Sequence, residues 1–264
     1  MLIKVLKYDF KWVYSLIFVF NVLAIIFAIL SRLCLFIDNS LMFQIIHKIF
    51  SATSISMTIS GIINVVTRSW IRFSRSVYKD ESYLTHTLPV SKDVIYFSKI
   101  LTSIIVVIIT FVVLIICLFL CYYSKELVEN IKQLLITSSS TLDTTVGGLI
   151  ASLSIILILE FLYLVFTGYT SIIIGNRFNK NKVGFSVIFG FGIYMACQGI
   201  MVLIMFLLGL IFGGGLLEVF TSNSLSSISA VKTIFIIACV LYGIFDILIM
   251  FVGKYQLSKG VNVE

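Results

Sequence analysis

Charge is scarce in this sequence. Asp, Glu, Lys and Arg supply 12% of its 264 residues, while 60% are hydrophobic. A soluble domain carries about 25% charge and about 45–50% apolar residues. So few charges cannot coat so much apolar surface in water, which excludes a soluble globular domain and leaves lipid as the solvent. Proline is nearly absent, with one copy, so helices are rarely forced to break. The five cysteines (Cys34, Cys117, Cys121, Cys197, Cys239) lie in or beside apolar runs without metal-ligand spacing, and are read as packing residues. There is no G-x-x-x-x-G-K-[ST], H-E-x-x-H, C-x-x-C or G-x-S-x-G. The chain therefore binds no ATP in the P-loop manner, and no motif supports an enzyme.

What is present is a set of long apolar runs. They occupy 12–31, 49–67, 100–124, 144–176, 183–217 and 233–253, each bounded by charge. About 20 helical residues cross a hydrocarbon core of about 30 Å, so all six are long enough. A β-barrel would instead show alternating segments of about ten residues. The expected class is all-α: a polytopic membrane protein of six transmembrane helices forming one transmembrane domain over 1–264. The second run is the least apolar, with Ser51, Thr53, Ser54, Ser56, Thr58, Ser60, Gly61 and Asn64. Were it to dip and return, everything downstream would invert.

Lys and Arg set the orientation. With a cytoplasmic N-terminus, 14 of them fall inside and 5 (Arg32, Lys48, Lys125, Lys132, Lys232) outside. This is the positive-inside pattern with both termini cytoplasmic. The net charge of +7 therefore reads as topology and not as a nucleic-acid surface. His47 and His86 then lie on opposite sides and cannot share a site.

The first dozen residues place Lys4, Lys7 and Lys11 on one arc and Ile3, Leu6, Phe10 and Val13 on a neighbouring one. That pattern predicts a short retained interfacial helix before the first span, or a plain basic topology signal. Asp9 sits awkwardly on its apolar side.

The segment between runs two and three is too patterned for a simple turn. Val77, Leu84 and Leu88 recur at near-helical spacing, and Pro89 should stop that helix. Ser91 can then cap a new helix with Asp93 in its first turn. Residues 76–88 suit docking to a cytoplasmic partner, or a self-contained interfacial hairpin. On the outer side a short surface helix is expected over 125–135. In run five, Gly209 and then Gly213, Gly214 and Gly215 oppose a continuous helix. The surplus length suggests a re-entrant broken element, with a long tilted helix as the alternative.

Two acids fall inside spans, Glu160 and Asp246. Ionised in lipid they would be costly, so they should be protonated, hydrogen-bonded or turned into the bundle. Together with Asn64 they are candidates for a translocation path or for intramembrane polar contacts. Either acid could bond the hydroxyl-rich second span.

The stretch Tyr83-Leu-Thr-His-Thr-Leu-Pro-Val-Ser91, followed by Ser98-Lys-Ile-Leu101, resembles the corresponding segment of ABC-2 type permeases, the membrane subunits of bacterial ABC exporters. The basic N-terminal segment, the six spans and the long loop between spans two and three extend the resemblance over nearly the whole chain. It implies a bacterial cytoplasmic-membrane subunit working as a dimer, with a second copy or a sibling permease, in contact with the lipid bilayer. No cofactor is implied in this chain; ATP and Mg would be bound and hydrolysed in a separate cytoplasmic ABC ATPase subunit. Val77, Tyr78, Tyr83, Leu84, Leu88, Pro89 and Ser91 map to the family's coupling element, and Gly213–Gly215 to its re-entrant element between spans five and six. The sparse charge lining points to an amphipathic or hydrophobic cargo such as a peptide, antibiotic or lipid-like molecule. An ion-coupled secondary transporter using Glu160 or Asp246, and a non-transporting sensor or immunity protein, are the rivals.

Overall fold

The structure, a computed structural model, describes residues 2–37, 40–79, 81–87, 89–123, 129–130, 132–133, 135–137, 146–178, 181–212 and 228–259. Helix dominates them. The elements are α1 (Leu2–Ile37), α2 (Leu41–Val77), α3 (Ser82–Thr87), α4 (Lys92–Tyr122), α5 (Val146–Gly175), α6 (Lys182–Phe212) and α7 (Ile228–Ser258). Six of these are long and apolar enough to cross a membrane. The protein is thus an all-α, multi-pass membrane protein. Its chain divides into two compact units, 1–128 with 261–264, and 129–260.

Unit 1 is built from α1, α2 and α4. Side-chain pairs running from Ser31 with His47 to Asp9 with Arg72 set α1 antiparallel to α2. The pairs Asp9–Lys99 and Arg32–Tyr123 set α1 parallel to α4. Lipid gives helices no hydrophobic reason to associate, so close packing and hydrogen bonds must hold them. The buried stripe of α1 is accordingly small and polar in its C-terminal part: Asn21, Ala24, Ala28, Ser31 and Cys34 follow Asp9, Val13 and Ile17 at spacings of three and four. Gly61 of α2 meets it, because a Cβ there would stand 3.4 Å from the Asn21 amide oxygen. Further along, Ala24 and Ala28 pack with Val113, Cys117 and Cys121 of α4.

The second span does not turn back. α2 is a single helix of 37 residues, and several of its hydroxyls bond to backbone carbonyls. Thr53, Thr58 and Thr67 each donate to the carbonyl four residues earlier, while Ser54 donates across to the Ala24 carbonyl at 2.8 Å. Polar side chains that return their bonds to backbone are tolerated in lipid.

Two expectations change here. The N-terminal interfacial helix is not a separate element, since α1 runs unbroken from Leu2 to Ile37, about 54 Å at 1.5 Å per residue. Asp9, Val13 and Ile17 lie on one buried stripe, which carries the first turns straight into the span. Likewise α2 continues ten residues past the end of its apolar run at 67. Ser69, Phe73, Ser76 and Val77 extend its buried face, so packing rather than hydropathy ends the helix.

Unit 2 holds α5, α6 and α7. Tyr163 faces Tyr242, Thr170 donates to the Ile249 carbonyl, and Arg177 donates to the Gln256 carbonyl, each pair 79 residues apart. A constant offset means that α5 and α7 run parallel. α6 returns antiparallel to α5, with the Phe178 and Phe185 rings stacked 4.3 Å apart and Asn181 at φ 52° opening it. Left-handed backbone of this kind suits Asn better than most residues. α6 passes Gly209 without a break and is described to Phe212. Gly213, Gly214 and Gly215 lie outside the described residues, as does much of the expected 125–135 helix.

Candidate functional site

The charged side chains of unit 1 converge at the end that holds the start of α1, the end of α2 and the start of α4. Asp9, two turns into α1, is buried with its side chain 1% exposed. Its Oδ1 accepts from Arg72 Nε at 2.9 Å and from Lys99 Nζ. Its Oδ2 accepts from Ser98 Oγ at 3.0 Å. Arg72 uses a second nitrogen to reach Glu81, so two acids and two bases form a neutral chain. A buried ion pair is viable only when its remaining lone pairs and protons are occupied, and here both Asp9 oxygens are.

Trp12 closes the cluster one turn along α1. The Arg68 guanidinium lies 4.3 Å from the Trp12 ring centroid and that of Arg72 lies 5.6 Å away. Arg68 also donates to the Trp12 carbonyl at 2.8 Å. Cations placed over an indole face gain electrostatic stabilisation. Three helices are thereby joined by ionic, hydrogen-bonded and cation–π contacts.

Glu81 immediately precedes α3. Below that short helix, Val77 and Tyr78 are buried, Tyr78 against Phe73, and Phe73 in turn against Tyr96 of α4. Val77 and Tyr78 therefore anchor the segment, whereas Tyr83 and Leu84 of α3 are 79% and 72% exposed. α3 ends at Thr87, two residues before exposed Pro89; Leu88 lies outside the described residues. The restart follows the local chemistry: Ser91 is the N-cap of α4, its Oγ accepting from Val94 N at 3.4 Å, with Asp93 in the first turn. Replacing Ser91 with alanine should cost about 0.5–1 kcal/mol. Hydrogen exchange of the first amides of α4 should quicken by up to about fivefold; an unchanged rate would remove the cap from the account.

The arrangement is an exposed tip, Tyr83 and Leu84, on a base buried at Val77 and Tyr78 and joined by ion pairs. Glu81, beside Tyr83 and Leu84 in the chain, pairs with Arg72, and Arg72 pairs with Asp9 of α1, which also pairs with Lys99 of α4.

The remaining candidates lie apart. Asn64 donates to the Ser60 carbonyl at 2.9 Å within α2, a bond that stays in its own helix. In its place Asn21 of α1 is buried at the α1–α2 seam, and neither amide atom has a hydrogen-bond partner among the described residues. In unit 2, Glu160 is half-buried and Asp246 is buried. Around them stand Tyr163, which donates to the Tyr194 carbonyl at 3.3 Å, and Gln198, which donates to the Tyr242 hydroxyl at 3.3 Å.

Sequence reasoning treated Arg72 and Lys99 as topology signals and missed their pairing. Asp9 on the apolar side of its wheel was the available signal: an acid placed there needs a buried cation. No protein-family model, curated protein or solved structure matches this chain.

Proposed function

We propose that this chain is the membrane subunit of an ATP-driven exporter of the ABC-2 type, with ATP hydrolysed by a separate cytoplasmic subunit that docks on α3. One observation carries the reading. A short helix holds Tyr83 and Leu84 outward on a base that is stopped by Pro89, restarted by Ser91 and tied by Glu81 to a buried ionic network. A flexible loop would absorb a partner's movement, whereas this base passes it to three helices. The resemblance of 83–91 and 98–101 to the coupling region of such permeases points to the same role. A second permease copy, or a sibling chain, would complete the path for an amphipathic or hydrophobic cargo, with both termini cytoplasmic.

The test is co-purification with the ATPase encoded in the neighbouring reading frame. Tyr83→Ala with Leu84→Ala should weaken assembly by at least about thirtyfold if these two side chains are interface anchors. Cargo-stimulated ATPase activity of the assembled complex should fall with it. Unchanged assembly together with unchanged coupling would sink the docking assignment.

A further inference from the structure

Unit 1 contains a cation that the docking reading leaves unused. Arg68 is the first residue past the apolar run of α2, and Trp12 is the first residue of the apolar run of α1. Arg68 Nη2 donates to the Trp12 carbonyl at 2.8 Å and to Ser15 Oγ at 3.2 Å, so the two run ends lie at one level. Such a level is a boundary of the hydrocarbon core, where phospholipid headgroups begin. The guanidinium is fixed there, its face 4.3 Å from the Trp12 ring centroid. Both of its hydrogen bonds come from Nη2, which leaves the Nη1 donors of the planar fork uncommitted among the described residues.

The neighbouring charges decide what this cation can take. Arg72 and Lys99 are matched by Asp9 and Glu81, whereas Arg68 forms no ion pair among the described residues. The other described acid of unit 1, Asp93, precedes Lys99 by six residues, and Arg68 precedes Arg72 by four. Arg72 and Lys99 meet on Asp9, and α2 and α4 run in opposite directions, so about 15 Å of helical rise separates Asp93 from Arg68. Lys11, one turn before Ser15 on α1, is exposed and adds a second cation on the same helical face. One turn after Ser15, Phe18 and Val19 are exposed and apolar. The surface therefore changes from cationic to apolar within two turns, which is the profile of a phospholipid with a negative head. A free anion would use only the charged half. A zwitterionic headgroup would bring a cation of its own to a place that already holds two.

We propose that Lys11, Trp12, Ser15 and Arg68 form a binding site for an anionic phospholipid, its phosphate on Arg68 and Lys11 and its acyl chains along Phe18 and Val19. A guanidinium fork suits phosphate oxygens better than a point charge does. Stacking on Trp12 and bonding to Ser15 order the Arg68 side chain before lipid arrives, which lowers the entropic cost of binding. The site lies on α1 and α2 and does not involve α3, so it and the docking reading can fail separately.

The test is native mass spectrometry of the whole protein in detergent, titrated with phosphatidylglycerol or with phosphatidylcholine of the same acyl chains. The wild type should bind phosphatidylglycerol more tightly. Arg68→Gln should weaken that binding by about tenfold and Lys11→Gln by about fivefold, with phosphatidylcholine unaffected. Lys48→Gln is the control, since Lys48 is exposed at the other end of α2; it should change neither lipid. Excess inorganic phosphate should leave the lipid bound. Should Arg68→Gln fail to fold, Lys11→Gln decides, because an exposed lysine can be replaced without opening the α1–α2 seam. Equal binding of the two lipids by the wild type, or unchanged phosphatidylglycerol binding in Lys11→Gln, would overturn the proposal. So would an equal loss in Lys48→Gln, or displacement of the lipid by inorganic phosphate.

Discussion

Asp9→Ala should cost the protein about 3–5 kcal/mol of stability, the range seen when one partner of a buried ion pair is removed. The mechanism is the charge left behind. Lys99 is 4% exposed at its side chain, and without Asp9 its ammonium has no acid in contact. Arg72 keeps Glu81, so the loss falls mainly on Lys99. Asp9→Ala combined with Lys99→Met should therefore be more stable than Asp9→Ala alone, since the second change removes the stranded cation. Thermal unfolding followed by tryptophan fluorescence measures both, because Trp12 stacks on Arg68 beside the site. An Asp9→Ala protein within about 1 kcal/mol of wild type, or a double variant weaker than the single, would show that the network does not hold unit 1 together.

Gly175→Ala should cost about 1–3 kcal/mol by overpacking. A Cβ at Gly175 would stand 2.5 Å from the Ser186 backbone nitrogen and 2.7 Å from its Cα. A side chain could rotate away, but these atoms belong to the backbone of α6 and move only if the helix moves. Gly192→Ala and Gly199→Ala are the controls, with no atom within 4 Å of the added carbon. They should be neutral or slightly stabilising, since alanine favours helix over glycine. Thermal unfolding of the three variants in one detergent decides the matter. Equal midpoints would mean that α5 and α6 do not approach as closely as described.

The six spans were legible because lipid-facing side chains are apolar all round a helix, so each span announces itself as a long run. The helix ends were not. Residues 68–77 are too polar to read as membrane span, yet they remain helical because Ser69, Phe73, Ser76 and Val77 bury against neighbours. The stop and restart around Pro89 were legible, since the clash before a proline and the bond from a serine to an amide three residues on act within a few residues. Between α2 and α4, helical spacing did not separate buried Val77 and Tyr78 from exposed Tyr83 and Leu84. Burial there depends on Phe73 and Tyr96, far apart in the chain and adjacent in space.

Composition and run length by themselves determined that this is a six-span helical membrane protein, since the cost of placing backbone and charge in hydrocarbon is set residue by residue. Local chemistry determined where α4 starts. Tertiary structure decided which charges matter. Asp9 finds Arg72 63 residues away and Lys99 90 residues away, and Tyr163 meets Tyr242 only because α5 and α7 run parallel in register. Such pairings are products of helix packing, and a single chain read in order carries no record of which faces will meet.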